Sequence, residues 1–243
     1  MSGLIIAGTG TDVGKTFVAA AILRYLRDAG CDAVPMKPVQ TGCRMLASGA
    51  WEVPDLDFVL RASAMQPPAD ERRWMAPFVY REACSPHLAA RMSNEAPPDA
   101  GRIISCAGML LAKHDALLVE LAGGLMVPLN DAQTNLDLMI ALKFPVVLVA
   151  LPGLGTINHT LLSIEAIRRA GLELLGVIIC APEPVAANAA TEDNPAAIAQ
   201  FGRTEILGNI PHQSKLDWPK TAKSIPGLET IRRRLIQDNG ANA

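Results

Sequence analysis

The sequence predicts an α/β fold, a single domain over residues 1–243 with a mostly parallel, doubly wound sheet and helices on both faces. Short runs that are apolar throughout recur along the chain, which is typical of parallel strands covered on both sides. Stretches with apolar residues at helical spacing separate these runs. Half of the 243 residues are hydrophobic, so the chain has enough apolar material for one sizeable core.

The predicted strands are mostly apolar runs with the length of an ordinary buried strand. The first precedes a glycine-rich loop, the second ends near Lys37, and the third ends at an acid, Glu120. The strands cover residues 4–8, 32–39, 116–120, 145–151, 174–180 and 205–210.

The predicted helices lie between these strands and carry start and stop signals. Gly30 and Gly171 each follow a helical pattern and end it. Ser85 and Pro86 suit the N-cap and the first position of a helix. The proline-rich segment 66–84 gives no clear pattern, and the tail 240–243 is expected to fray. The helices cover residues 15–29, 55–63, 85–93, 100–114, 156–170 and 227–237, and a further helix contains 138–142.

Composition and charge exclude several classes of partner. The net charge is −2 without an acidic or basic half, and aromatic residues are 4% of the chain, so neither nucleic acid nor a membrane is an expected partner. The chain start lacks the basic region of a signal peptide, and the longest apolar stretch, 145–151, is too short to span a bilayer. Five cysteines without metal or redox spacing indicate free thiols. We expect a soluble, cytoplasmic protein.

The stretch GTGTDVGKT, residues 8–16, differs by one residue from the usual phosphate-binding loop (P-loop). That loop has four residues between its first glycine and its Gly-Lys-Ser/Thr end, whereas five separate Gly8 from Gly14. The strand before it and the helix after it are the context that such a loop requires. Backbone N–H groups at this helix start can hold phosphate oxygens. Lys15 can neutralise the β- and γ-phosphates, and the Thr16 hydroxyl can bind Mg²⁺.

Residues that follow other strands are expected beside this loop, because ligands of a doubly wound sheet bind at the carboxyl ends of its strands. Lys37 and Glu120 lie at two of these ends, and Asn158 is in the first turn of the helix after strand 145–151. Glu120 is where P-loop proteins place a carboxylate near Mg²⁺, and a lysine at this edge can stabilise transferring charge. An ordinary solvated charge at a strand end is the alternative for Lys37 and Glu120.

Five motifs occur in the order seen in the dethiobiotin synthetases: GTGTDVGKT, KPVQTG, SPH, VELAGGLMVPL and LGTINHTLLSIEAIRRAGL. The resemblance covers at least residues 4–211, nearly the whole chain. The family's loop has five residues between its glycines, so Gly8 is the first glycine of this longer variant. The combined set of motifs is much more specific than the loop alone.

The resemblance implies a P-loop NTPase-like fold, a homodimer and a reaction of small molecules. Members of the family use ATP, Mg²⁺ and CO₂ to close the ureido ring of 7,8-diaminopelargonate in biotin synthesis. One amine adds CO₂ to give a carbamate, whose oxygen attacks the γ-phosphate to give a carbamic-phosphoric anhydride. The second amine then closes the ring and expels phosphate. Two lysines and Mg²⁺ suit this chemistry, because the carbamate and the triphosphate are both anions.

The resemblance also implies roles for individual residues. Asp55 is preferred to Asp57 as a metal ligand, because the family's aspartate lies six residues before an arginine, as Asp55 does before Arg61. The implied catalytic residues are Lys37, Lys15 and Thr11, and the implied metal ligands are Thr16, Asp55 and Glu120. The implied substrate contacts are Lys37, Thr41, Thr156, Ile157 and Asn158. The implied nucleotide contacts are Gly8, Thr9, Gly10, Thr11, Asp12, Val13, Gly14, Lys15, Thr16, Thr41, Glu120, Cys180 and Pro211.

Three residues depart from the family pattern. Gly10 replaces an aspartate, Leu121 stands where EGAGG has a glycine, and Cys180 replaces an asparagine that reads the adenine base. A thiol is a weak hydrogen-bond partner, so Cys180 predicts relaxed base selectivity. The alternative is that backbone groups beside Cys180 read adenine and the thiol is only a small buried group.

Two other functions stay open on the sequence. A partitioning or regulatory ATPase of the deviant P-loop type generally carries a further lysine near the start of the loop, and residues 8–13 contain none. A synthetase-like enzyme for another amine or carboxylate stays open because of Gly10 and Leu121.

Overall fold

A central sheet of parallel strands organises the fold, as the sequence predicts. The structure is a computed structural model that describes residues 2–186, 188–213 and 217–240, with their side chains except those at 190 and 237–240. Its strands are β1 (Gly3–Gly8), β2 (Ala33–Met36), β3 (Val39–Gln40), β4 (Arg44–Met45), β5 (Trp51–Glu52), β6 (Phe78–Val79), β7 (Ala116–Glu120), β8 (Val146–Ala150), β9 (Leu174–Cys180) and β10 (Ile206–Ile210). The six-stranded central sheet has the order β10-β9-β8-β1-β7-β2, and its pairings are parallel.

Helices cover both faces of this sheet. They are α1 (Lys15–Asp28), α2 (Pro54–Ala62), α3 (Ala69–Met75), α4 (Pro86–Ser93), α5 (Ala100–Leu111), α6 (Asn135–Leu142), α7 (Thr156–Arg169), α8 (Ala189–Gly202), α9 (Trp218–Lys223) and α10 (Leu228–Gly240). Helices α1 and α10 pack on one face, and α5 to α8 pack on the other. The predicted α/β fold with a doubly wound sheet is therefore confirmed.

The apolar runs of the sequence follow from this double cover. Side chains of a strand alternate between the two faces. In β1, Leu4 and Ile6 join the core under α1 and α10, whereas Ile5 and Ala7 join the opposite core. All four are fully buried, which is why no polar residue interrupts the strand.

Outside the central sheet, the structure departs from the sequence prediction. The strand predicted over 32–39 is split, because β2 ends at Met36 and the Lys37 backbone N–H donates to the Met75 oxygen at 2.7 Å. The chain then continues as β3, which pairs with β6. The unassigned segment 66–84 contains α3 and β6, and α6 begins earlier than its apolar pattern, at Asn135. Of the predicted frayed tail, residues 241–243 lie outside the described residues.

Besides α3, two described helices have no counterpart in the sequence prediction. The alanine-rich helix α8 contains Pro195, a residue that ordinarily signals the end of a helix. Helix α9 has only six residues, too few to show a helical period.

The sequence also predicts free thiols and no membrane-spanning segment. All five cysteines are free thiols in the structure. No helix within the described parts of the chain combines the length and the apolar character needed to cross a membrane.

Candidate functional site

The loop of residues 9–14 joins β1 to α1 at the carboxyl edge of the sheet, and its shape depends on residues in the left-handed backbone region. Gly14, the N-cap of α1, has φ 93°, and Asp12 has φ 55°. Glycine adopts this region without a steric cost. A side chain at Gly14 would also meet Cys180, because an added Cβ would lie 2.5 Å from the Cys180 Sγ. Val13 is buried below the loop at 3% exposure. The loop is thus seated on the core and opens its N–H groups at the start of α1.

Lys15 brings a nearly buried cation to this loop. Its Nζ donates to the Gly10 carbonyl at 2.6 Å, and the residue is 6% exposed. The pKa of Lys15 is lowered to about 8, first by burial and then by the positive charge of Lys37. A bound anion would favour the charged form of Lys15, because an opposite charge nearby stabilises it.

Lys37 lies between two carboxylates. Its Nζ is 2.6 Å from Glu120 Oε1 and 2.7 Å from Asp55 Oδ2. Burial acts to lower the pKa of Lys37, but the charges of Glu120 and Asp55 outweigh it and raise this pKa above the ordinary lysine value. Burial likewise acts to raise the pKa of Asp55, yet Lys37 holds it below the ordinary aspartate value. Lys37 is thus held charged beside the P-loop, at 5% exposure.

The oxygen atoms around Lys37 suit Mg²⁺. The Thr16 hydroxyl donates to Glu120 Oε1 at 2.7 Å, so it shares that carboxylate with Lys37. Among the described residues, no group of three or more His, Cys, Asp and Glu side chains could hold a metal by itself. A hydroxyl and two carboxylates fit Mg²⁺ when phosphate oxygens and waters complete the coordination, as is usual for this ion. The donor set therefore fits a cation that binds together with a phosphate.

A second loop, residues 121–125, follows β7 and lies beside the P-loop; we call it the diglycine loop. An added Cβ on Gly124 would lie 3.5 Å from the Thr9 carbonyl oxygen and 3.6 Å from the Gly10 Cα. Gly123 has φ 72°, and an added Cβ there would lie 3.4 Å from Thr11 Oγ1. The two loops therefore lie side by side, within van der Waals reach of one added carbon atom, and the positive φ of Gly123 favours glycine at that position.

The structure places two of the three departures from the family pattern beside this contact. Leu121 is 2% exposed and packs in the hydrophobic core, so its side chain does not enter the site. An added Cβ at Gly10 would meet nothing closer than Val13 Cγ1 at 3.9 Å. Packing therefore does not require glycine at position 10, and an aspartate Cβ would fit there.

The start of α7 lies at the same edge of the sheet, because β8 pairs with β1 and the Thr9 N–H donates to the Val149 oxygen at 3.0 Å. Thr156 is 4% exposed, and its hydroxyl lies 3.4 Å from the Thr160 hydroxyl. Asn158 is exposed, and Ile157 is half-buried. The first N–H groups of a helix need partners from outside it, so this helix start can receive an anion through its backbone more readily than through Thr156 Oγ1.

Thr41 directly follows β3, the short strand that begins after Lys37. It is half-buried, and its carbonyl accepts from Gln40 Nε2 at 3.2 Å. The Gln40 side chain also hydrogen-bonds Asp55 and contributes to the lowered pKa of that carboxyl. Thr11 is exposed at the top of the P-loop. Sequence reasoning missed Gln40, although it lies within the KPVQTG motif.

Cys180 and Pro211 lie at the ends of β9 and β10. Cys180 is 2% exposed, and burial raises the pKa of its thiol to about 12. Its Sγ packs behind Gly14, whereas Pro211 is exposed. The chain segments after the two strands are tied together, since the Ala181 N–H donates to the Ile210 oxygen and His212 Nδ1 lies 2.9 Å from the Pro182 oxygen. The thiol is therefore a neutral packing group under the loop.

Known proteins match this chain over most of its length. A family model described as an AAA domain matches residues 2–220. An ATP-dependent dethiobiotin synthetase BioD of Anaeromyxobacter dehalogenans strain 2CP-C is 39% identical over 243 residues, which cover 98% of this chain and 100% of the relative. One of the same name from Anoxybacillus flavithermus is 36% identical, over 88% of this chain and 93% of the relative.

Solved structures with a similar fold are more distant in sequence. The MinC:MinD cell division protein complex of Aquifex aeolicus aligns with a TM-score of 0.58 at 12% identity, covering 100% of this chain and 97% of the other. The septum site-determining protein MinD of Pyrococcus horikoshii, complexed with Mg-ADP, aligns with a TM-score of 0.57 at 16% identity. The alignment covers 98% of this chain and 95% of the other. These similarities concern the fold alone.

Proposed function

The chain belongs to the ATP-dependent dethiobiotin synthetases, and on that premise we propose that it closes the ureido ring of 7,8-diaminopelargonate with CO₂ and ATP. The main support for the proposal is the position of Lys37. It is held between Glu120 and Asp55, next to Lys15 and the P-loop. Two buried cations at a phosphate-binding loop suit a reaction that brings two anions together. As an ATP-dependent ligase of biotin biosynthesis, the protein would release one phosphate for each ring closed.

The experiment that tests this function is a phosphate-release assay. The protein is incubated with ATP, Mg²⁺ and bicarbonate, with and without 7,8-diaminopelargonate. We expect release that depends on the diamine. Phosphate release that is the same with and without the diamine would contradict the proposal and would favour a regulatory ATPase. Against that alternative, residues 8–13 lack the additional lysine that regulatory ATPases of the deviant P-loop type generally carry. Turnover with a different amine in place of the diamine would favour a related synthetase.

The proposed mechanism assigns each step to groups at the carboxyl edge of the sheet. The P-loop N–H groups and Lys15 bind the triphosphate, and Thr11 lies exposed at the top of the loop. Lys37 and Thr41 hold the carbamate so that its oxygen faces the γ-phosphate. Lys37 then stabilises the charge of the transferring phosphoryl group. The backbone of residues 156–158 receives the substrate carboxylate at a helix N-terminus.

Mg²⁺ is part of this proposal. Thr16, Asp55 and Glu120 would hold it together with phosphate oxygens, and it would supply positive charge at the transferring group. Both carboxylates contact Lys37. The role of Lys37 in the site therefore includes balancing their charge.

Removing one of these carboxylates should change the Mg²⁺ dependence of activity. We expect Glu120→Gln and Asp55→Asn to raise the Mg²⁺ concentration for half-maximal activity about tenfold, equivalent to about 1.4 kcal/mol of cation binding. The amide keeps the shape of the side chain but loses its charge. Titrating activity with Mg²⁺ measures the effect, and Asp57→Asn, whose carboxylate pairs with Arg72 instead, is the matched control. If both variants needed the same Mg²⁺ concentration as wild type, Glu120 and Asp55 would be shown not to bind the metal.

Base selectivity should be relaxed, because a neutral thiol packed behind Gly14 replaces the amide that reads adenine. A site without buried polar groups for the base edge cannot reject other bases by leaving such groups unpaired. We expect GTP or CTP to support ring closure within about tenfold of ATP in kcat/KM, or about 1.4 kcal/mol. Cys180→Ala should leave this ratio unchanged. A preference for ATP above about a hundredfold would show that backbone groups read adenine.

A cytoplasmic homodimer completes the proposal. Leu154, just before α7, is 101% exposed, and Leu162 within α7 is 64% exposed. A second copy of the chain could cover such apolar side chains, which suits the dimer implied by the family resemblance. The free state of all five cysteines suits a reducing compartment.

A further inference from the structure

The diglycine loop is bonded to a side chain that lies more than ten residues further along the chain, that of Asn135. A Cβ added to Gly123 or Gly124 would be in van der Waals contact with Thr9, Gly10 or Thr11, so the two glycines face the P-loop across a narrow gap. The loop begins directly after Glu120, which contacts Lys37 and Thr16. A shift of this loop would therefore change the distance between the P-loop and the groups that surround Lys37.

Asn135, the first residue of α6, holds this loop. Its Nδ2 donates to the Ala122 carbonyl at 2.6 Å and to the Gly124 carbonyl at 2.9 Å. The residue is 1% exposed, so water does not compete for these bonds. Both hydrogens of the amide are used, and only an amide NH₂ offers two donors from one short neutral side chain.

The backbone around Asn135 fixes it in turn. Its own N–H donates to the Val127 oxygen at 3.0 Å, and the Leu136 N–H donates to the Leu125 oxygen at 2.9 Å. Thr134 and Asp137 form a capping box at the start of α6. A helix start that is anchored on both sides leaves the Asn135 amide little freedom to move.

The two bonds also set the direction of the loop's peptide groups. The C=O and N–H of a trans peptide point in opposite directions. Because the Ala122 and Gly124 carbonyls face Asn135, the N–H groups of Gly123 and Leu125 are directed away from it. In the described part of the chain, neither of these N–H groups has a hydrogen-bond acceptor.

We propose that Asn135 is a positioning residue for the phosphoryl-transfer site, which acts by holding the diglycine loop against the P-loop. The inference rests on the proposed function. Asn135 does not touch nucleotide or substrate. It maintains the loop geometry in which two N–H groups remain available and Glu120 stays in register with Thr16 and Lys37. A misplacement of about 1 Å can cost about a hundredfold in rate, so loss of the clamp should act on kcat.

The test compares Asn135→Asp and Asn135→Ala with wild type. The aspartate keeps the shape but presents oxygens to both carbonyls, so it should lower kcat more than alanine does. We expect kcat to fall at least about tenfold for alanine, while KM for ATP stays within about threefold, because the P-loop and Lys15 still bind the phosphates. Asn130→Ala is the matched control, since Asn130 Nδ2 also donates to a loop carbonyl, that of Pro98 at 2.9 Å, away from the P-loop.

Thermal unfolding is recorded for every variant, and kcat is measured where the variants are folded. If both Asn135 variants keep kcat within twofold of wild type, the inference is wrong. It is also wrong if KM for ATP rises while kcat holds, or if neither variant folds, because Asn135 would then serve binding or stability. Diamine-dependent phosphate release by wild type tests the proposed function separately, so the two failures are distinguishable.

Discussion

Replacing Lys37 with alanine is expected to lower kcat at least about a hundredfold, a loss of about 2.7 kcal/mol of transition-state stabilisation. Lys37 is the cation that contacts both Glu120 and Asp55, at 2.6 and 2.7 Å. Without it, the two carboxylates lose the lysine that offsets their charge, and only Lys15 and Mg²⁺ would remain to attract the carbamate and the transferring phosphoryl group. The charge of Lys37 is needed mainly during transfer, so nucleotide affinity should change less than rate.

Steady-state kinetics at saturating substrates, together with direct nucleotide binding, measure this split for Lys37→Ala. Lys37→Met is the second variant, because it keeps the aliphatic stem and removes the charge alone. Removing one partner of a buried ion pair can cost about 3 kcal/mol or more of stability, so unfolding curves must accompany the kinetics. A folded variant that retained more than about a tenth of the wild-type kcat would show that Lys37 is not catalytic.

Replacing Lys15 with alanine is expected to abolish turnover, with a loss of at least about a thousandfold in kcat/KM, or about 4 kcal/mol. Lys15 is the nearest cation to the phosphates in the proposed complex, and its Nζ already lies at the P-loop, 2.6 Å from the Gly10 carbonyl. Its stem packs on Gly8, where an added Cβ would lie 2.9 Å from Lys15 Cδ. Unlike Lys37, it should therefore affect binding and rate together.

Phosphate release and nucleotide binding both report on Lys15→Ala. Lys15→Met retains the packing on Gly8, so it separates the charge from the volume of the side chain. Lys223→Ala, an exposed lysine of α9, controls for a change in net charge. If Lys15→Met bound ATP as tightly as wild type, the proposed contact with the phosphates would be refuted.

Patterns within short segments of the sequence were enough to predict much of the fold correctly. Apolar runs, glycine stop signals and the position of Pro86 are properties of short segments, and they indicated the six strands of the central sheet and seven helices. The rule that ligands bind at the carboxyl ends of parallel strands then grouped Lys15, Lys37 and Glu120, which are far apart in the chain. The structure brings these three together. The resemblance to dethiobiotin synthetases, drawn from motif order, is confirmed by the relatives.

Other features depended on where each side chain points, which spacing along the chain does not specify. Leu121 and Cys180 look like altered site residues in the sequence, but Leu121 joins the core and the Cys180 thiol packs behind Gly14. Asn135 lies in a helix start with no motif, and only the fold brings its amide to Ala122 and Gly124. The sequence by itself therefore determined the fold, the family and the charged residues at the edge. The tertiary structure decided which neighbours face the site and which hold it, because hydrogen bonds and packing between distant segments form only once the sheet and its helices are assembled.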